Sequence, residues 1–170
     1  MSIAIAPLRD EEVEAVCALA GTVWRHYYPA IIGTAQTEYM LAQRYAPALV
    51  RDELARADIW WDVLSEDGTL VAFSSCVPGA GSEMKLDKLY VHPARQRQGH
   101  GGTLIEHACK RAARLAYGKL ILAVNKRNTS AIAAYIKHGF GIREGVVKDI
   151  GGGFVMDDYI MEKKLEARVP

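Results

Sequence analysis

The chain has 170 residues, half of them hydrophobic and about a quarter charged, and a net charge of +1. That length suffices for one domain with a real core, and the composition is that of a soluble globular protein rather than a disordered or fibrous one. No apolar run approaches the roughly 20 residues that span a bilayer, the opening Met1-Ser2-Ile3-Ala4 lacks a basic leader region, and three widely spaced cysteines, Cys17, Cys76 and Cys109, fit neither a disulfide framework nor a zinc site.

In chain order, Ile3–Ala6 reads as a short strand. Asp10-Glu11-Glu12 then supplies acids for the first turn of a helix with Val13, Val16, Cys17, Ala20 and Val23/Trp24 at helical spacing. Tyr27-Tyr28-Pro29 through Gly33 breaks it. Thr34 or Thr37 begins a shorter helix to about Tyr45, and Pro47 opens another that runs to Ala57. Ile59–Ser65 and Leu70–Val77 flank the turn Glu66-Asp67-Gly68 as a hairpin. Lys85–Val91 is a third strong strand, and Glu83 lies just before it.

Gln96-Arg97-Gln98-Gly99-His100-Gly101-Gly102 follows that strand and opens an amphipathic helix to about Tyr117. Leu104, Ile105, Ala108, Ala112 and Leu115 form its apolar stripe, with Lys110, Arg111 and Arg114 mostly outside. Leu120–Val124 is a wholly apolar strand, as a strand covered on both faces would be. Asn128 or Thr129 caps a helix through Lys137, and Ile142–Ile150 with Phe154–Leu165 reads as a hairpin around Gly151-Gly152-Gly153. The order implies a mixed α/β sheet in a single domain, 1–170.

The glycine-rich turn points to a phosphate, because unpaired N–H groups and the positive end of a helix dipole meet there. Charge is segregated around it. Lys85 to Arg143 holds 12 Lys/Arg against 2 acids, and the remainder 9 against 18. A bound polyanion accounts for that, and so do two solvated faces of opposite sign. Nucleic acid fits poorly, since the basic residues are not interleaved with aromatics. No Gly-Lys-Ser/Thr follows the turn, which excludes a P-loop. The histidines have no metal-ligand spacing with acids or cysteines, so no metal is implied.

Three stretches together resemble the GCN5-related N-acetyltransferase (GNAT) superfamily. They are Leu89-Tyr90-Val91-His92-Pro93 leading to Gln96-x-x-Gly99-x-Gly101, then Asn125-x-x-Asn128-x-x-Ala131-x-x-x-Tyr135-x-x-x-Gly139-Phe140, and the tail Asp158-Tyr159-Ile160-Met161-Glu162-Lys163. The resemblance implies a mixed, mostly antiparallel central sheet flanked by helices, with splayed central strands and acetyl-CoA as cosubstrate. Cytoplasm is the expected compartment, without membrane association. A homodimer is compatible, because family members often dimerise.

By the same resemblance, Gln96, Arg97, Gln98, Gly99, His100, Gly101 and Gly102 wrap the pyrophosphate, and the backbone of Leu89, Tyr90 and Val91 pairs with the pantetheine amides. Leu89 and Val91 also suit ordinary core packing. Tyr135 is placed to protonate the leaving thiolate, and Asn128 caps its helix and can also bond the cofactor. Asp87 shares a strand face with Leu89 and is a candidate base or amine anchor. Glu83 acting through water, and deprotonation by solvent, stay open beside it. Trp24, Tyr27, Tyr28, Gln36 and Tyr39 fall where the family covers its acceptor, although a hydrophobic clamp between helices accounts for them equally. Asp157, with the acidic first half, suits a cationic small amine or a peptide. The expected activity is direct acetyl transfer to an amine, without an acetylated cysteine. A non-catalytic acyl-CoA-binding module and a protein N-terminal or lysine acetyltransferase are the alternatives.

Overall fold

The structure, a computed structural model, describes residues 1–166, so the last four positions of the expected domain lie outside the described residues. The first half runs β1 (Ile3–Pro7), α1 (Val13–Tyr27), α2 (Pro29–Ile32), α3 (Thr34–Arg44), α4 (Pro47–Leu54), β2 (Trp60–Glu66) and β3 (Thr69–Pro78). The second runs β4 (Glu83–Val91), α5 (His100–Arg114), β5 (Lys119–Asn125), α6 (Thr129–Lys137), β6 (Gly141–Gly151) and β7 (Phe154–Lys164). The seven strands form one sheet in the order β1-β2-β3-β4-β5-β7-β6. The β1–β2, β2–β3, β5–β7 and β6–β7 pairs are antiparallel, so the sheet is mixed and mostly antiparallel, as expected. β4 and β5 pair in parallel from Glu83↔Lys119 to Lys85↔Ile121, and the ladder stops there although both strands run on.

Local chemistry explains the boundaries. Asp67 and Gly68, at φ 48° and 83°, turn the β2–β3 hairpin with the left-handed pair that a two-residue connection needs. Asn128 caps α6, its side chain accepting from the Ala131 amide at 3.4 Å. Pro29 opens α2, a one-turn helix inside the stretch read as a break, and Gly33 at φ 82° ends it.

The residue contacts divide into two units, Met1–Cys76 with Lys88–Leu104, and Val77–Asp87 with the chain from Ile105. The first is centred on aromatic rings. Trp24 is 1% exposed and stacks on Tyr28 at 4.1 Å, while Tyr45, Phe73 and Tyr90 close around the same cluster. The second buries Met84, Leu86, Ala108, Ala112, Leu120, Leu122, Phe140 and Met161.

Four expectations change. Glu83 lies inside β4 rather than before it. β5 is not covered on both faces, since Ala123 is exposed and Ile121 half-buried while Leu120 and Leu122 are buried. Leu115 is 44% exposed because α5 ends one residue earlier and the chain leaves its buried stripe. Arg111 is buried instead of outside, its guanidinium 3.3 Å from the His107 ring.

Alternation along β4 buries Met84, Leu86 and Lys88 on one face and leaves Glu83, Lys85, Asp87 and Leu89 half-buried on the other. Lys88 is a buried cation. Its ammonium lies 3.8 Å from Glu53, over the Trp61 ring at 5.0 Å and the Tyr45 ring at 5.8 Å. Glu53 also accepts the Trp61 indole N–H at 3.0 Å. Removing the anion alone strands the cation, whereas replacing the cation with an apolar side chain does not. Glu53→Ala is therefore expected to cost about 2–3 kcal/mol, below the ~3–5 of a fully buried pair because the glutamate is partly exposed. Lys88→Met is expected to be the milder change, and urea denaturation of the two variants checks the order.

Candidate active site

The glycine turn lies in the first unit, and its backbone is unusual. Arg97 sits at φ 62° and Gly99 at φ 87°, both in the left-handed region, with extended Gln96 before them. Left-handed residues among ordinary ones curl the chain so that successive N–H groups converge into a concave anion nest. Gly99 takes this conformation without strain, whereas Arg97 carries a Cβ there at a cost of ~1–2 kcal/mol. The first turn of α5 adds N–H groups that have no acceptor within the helix.

Side chains fix the ends of the turn. Gln96 donates to the Val91 carbonyl at 3.1 Å, and its amide oxygen accepts the Tyr27 hydroxyl. Glu66, at the end of β2, meets Arg95 at 3.4 Å and His100 at 3.3 Å. His100 is 4% exposed, so its ring braces the helix start and only its backbone can face a ligand. Arg97, Gln98 and Gly99 are exposed, and Gly101 and Gly102 are half-buried. A pyrophosphate fits this arrangement, which combines a backbone nest, a helix N-terminus and the exposed Arg97 guanidinium.

Leu89 and Val91 pack against the cluster of Leu64, Val71, Ala72 and Leu104. Core packing of their side chains and backbone service thus coexist. Tyr90 turns the other way, its ring 5.8 Å from Trp24 and 5.7 Å from Phe73. Trp24 and Tyr28 belong to the same aromatic cluster, while Tyr27 reaches the turn. The indole N–H of Trp24 is buried and has no hydrogen-bond partner among the described residues, and leaving such a donor unmet costs about 1–3 kcal/mol. Gln36 and Tyr39 are half-buried on α3.

The remaining candidates belong to the second unit. Tyr135 is half-buried on α6 with its ring edge-on to Phe140 at 5.7 Å. Asp87 lies 3.6 Å from Lys85, whereas Glu83 accepts a 2.6 Å hydrogen bond from Arg143. Arg143 also meets Glu162, which Lys119 holds at 3.1 Å. The hydrogen bond it donates to Glu83 raises the Arg143 pKa, and those from Lys119 and Arg143 hold the Glu162 carboxyl below its ordinary value. Asp157 is taken up by Lys126 at 2.7 Å, and that bond raises the Lys126 pKa. Sequence reading missed this Glu83–Arg143–Glu162–Lys119 network, together with the bracing by Glu66. Their members come from separate strands, and no spacing announces them.

Pairing also changes the meaning of the charge segregation. At least seven of the twelve basic residues between Lys85 and Arg143 have an acid within 4 Å. Among the described residues, Arg97 has no ion-pair partner, which leaves it the charge best able to meet a phosphate. No group of three or more His, Cys, Asp or Glu among the described residues could hold a metal, and no helix among them is long and apolar enough to cross a membrane.

The model of the acetyltransferase (GNAT) family matches residues 22–140. The chain belongs to the GNAT family. A spermidine N(1)-acetyltransferase of Thermoplasma acidophilum is 28% identical over 98% of this chain and 100% of its own. A peptidyl-lysine N-acetyltransferase, YjaB, of Salmonella typhimurium is 34% identical over 89% of this chain and 92% of its own. The crystal structure of the PaiA N-acetyltransferase of T. acidophilum in complex with coenzyme A superposes with a TM-score of 0.83 at 27% identity, covering 96% of this chain and 99% of that one. The protein is thus a GNAT enzyme, an N-acetyltransferase that uses acetyl-CoA.

Its cysteines suit direct transfer. Burial is the first cause that raises the thiol pKa of Cys17 and of Cys109 above the ordinary value, and Cys76 is buried outright. A thiol so shifted holds little thiolate near neutrality. Alkylation of the native protein by iodoacetamide at pH 7.5 is expected to be slow at all three positions, at least about tenfold slower than in the urea-unfolded chain. Mass spectrometry of the peptides reads the difference.

Proposed function

We propose that the chain is a single catalytic domain that transfers acetyl from acetyl-CoA to a primary amine of a cationic aliphatic acceptor of the polyamine class. The amine nitrogen attacks the thioester carbonyl carbon, the C–S bond breaks, and CoA leaves as a thiolate. The observation that carries the acceptor class is the end-to-end match to a spermidine N(1)-acetyltransferase. Charge counting carries it less well. Arg9, Arg25, Arg51 and Arg56 neutralise Glu11, Glu12, Glu38, Asp10, Glu14 and Asp58, so much of the acidic bias of the first half is spent locally. Peptidyl-lysine is the second reading, favoured by the 34% identical relative; its ε-amine presents the same nucleophile on a longer carrier.

In this reading the Arg97–Gly102 backbone holds the pyrophosphate, and the main-chain groups of Leu89 and Val91 pair with the pantetheine amides as an added strand would. Asp87 anchors the ammonium or takes its proton. It is better suited than Glu83, because its neighbour Lys85 stands at 3.6 Å while Glu83 is committed to Arg143 at 2.6 Å. Tyr135 gives its phenolic proton to the departing thiolate, a role worth 10²–10⁴-fold where geometry is good. Trp24, Tyr27, Tyr28, Gln36 and Tyr39 shape the acceptor side.

Two experiments test this. CoA thiol release, measured with spermidine, a lysyl peptide and a neutral alkylamine, is expected to be fastest with spermidine. Release no faster than without acceptor in every arm removes the enzymatic reading in favour of a binding module, and a preference for the peptide selects the second reading. Tyr135→Phe is expected to lower kcat at least about tenfold while acetyl-CoA binding, measured by calorimetry, persists. An unchanged kcat removes the proton-donor role.

A further inference from the structure

The second unit leaves part of one sheet face open. Glu83 and Lys85 on β4 stand opposite Lys119 and Ile121 on β5, and Ala123 follows on the same face, opposite Ile160 of β7. Met84, Leu86, Leu120 and Leu122 alternate with them and are buried on the reverse. Ile121 and Ile160 are half-buried and Ala123 is exposed, so the open face carries an apolar strip that solvent reaches. The Glu83–Arg143–Glu162–Lys119 network closes one end of it.

Lys85 stands beside that strip. Its ammonium is 3.6 Å from the Asp87 carboxylate, and its side chain is 36% exposed against 16% for Asp87. Other lysines are committed elsewhere. Lys88 is sunk beside Trp61 and Tyr45, Lys119 is held by Glu162, Lys126 by Asp157, and Lys163 by the His138 carbonyl. Lys85 thus sets a reachable primary amine against the acid that the transferase reading uses as anchor or base.

Lys85↔Ile121 is also the last pair of the parallel ladder. A pantetheine arm laid along β4, past Val91 and then Leu89, advances only to the point where β4 and β5 join. Its sulfur end therefore stops beside Asp87 and Lys85. Positions two apart on a strand are about 7 Å apart, a step that the four-carbon stem of a lysine nearly spans.

We infer that the ε-amine of Lys85 is itself an acetyl acceptor, so that the chain acetylates its own Lys85 when acetyl-CoA is bound and no other amine has entered. This rests on the transferase reading above, with the cosubstrate on the glycine turn and β4. One proton of the Lys85 ammonium passes to Asp87 and on to water. The neutral nitrogen attacks the thioester carbonyl carbon, the C–S bond breaks, and the second proton shed by nitrogen ends on the thiolate. The products are an Nε-acetyl amide, the free thiol of CoA and one proton. The amide carries no charge, so Asp87 loses the cation beside it.

Incubation of the whole protein with acetyl-CoA alone, followed by intact-mass and peptide mass spectrometry, tests the inference. One acetyl group per chain is expected at Lys85, at a rate independent of protein concentration, because donor and acceptor sit on one chain. That rate is expected to be at least about tenfold above that of Lys85 in the urea-unfolded chain. Excess spermidine is expected to slow it, because both amines compete for one thioester. Asp87→Asn is expected to slow it at least about tenfold as well. Acetylation of spermidine, followed in parallel, separates the two levels of the argument. Acetylated spermidine with unmodified Lys85 overturns this inference and leaves the transferase reading standing, whereas neither product overturns both. Modification of several exposed lysines at similar rates, or of Lys85 no faster than in the unfolded chain, marks uncatalysed chemistry and overturns it. So does a rate that rises in proportion to protein concentration, or one indifferent to both spermidine and Asp87→Asn.

Discussion

The period-two alternation of β4 is the constraint on which the rest of the structure depends. One face of the strand is committed to burial through Met84, Leu86 and Lys88, and the other carries Glu83, Lys85, Asp87 and Leu89. A slip of one residue exchanges the two sets and with them every candidate role. The slip is opposed by an uncommon device, an ammonium sunk among Tyr45, Trp61 and Glu53. A leucine at that position would pack acceptably in more than one register. A buried charge has one place where it is satisfied, so it trades stability for uniqueness.

The same register delivers Val91 to the glycine turn. Its carbonyl receives Gln96, Gln96 receives Tyr27, and Glu66 holds Arg95 and His100. Four anchors thus fix a turn whose own residues sit in costly or permissive backbone states. A nest of N–H groups binds an anion well only when the loop need not be ordered by the ligand, and these anchors supply that order in advance. The signature glycines permit the shape, and the neighbouring side chains hold it.

Much of this was legible in the sequence. The glycine turn, the Asn128 cap, the three strong strands and the terminal hairpin follow from local rules, where one residue's conformational preference decides. The one-turn helix at Pro29 escaped because four residues carry no period. The exposure of Ala123 and Leu115 escaped because apolar character marks what can be buried and not what is. Arg111 escaped for the converse reason, its long side chain lying along the surface of its own helix. Asp87 and Glu83 are both legible as acids on or beside one strand, but the difference in their ion pairing is not. Glu83 is tied to Arg143, sixty positions away, and no local pattern encodes such a tie.

What the sequence determined by itself is the family, the cosubstrate and the position of the glycine turn, since each rests on short-range chemistry repeated at fixed spacing. Only the tertiary structure decided which charges remain available. It matched basic residues of one segment with acids of another, silenced most of the segregation that counting suggested, and left Arg97, Glu144 and Lys148 without ion-pair partners among the described residues. It also put β6 at the edge of the sheet. The physical reason is the same throughout: backbone preference acts within a few residues, whereas ion pairing and edge position depend on which distant strands the fold brings side by side.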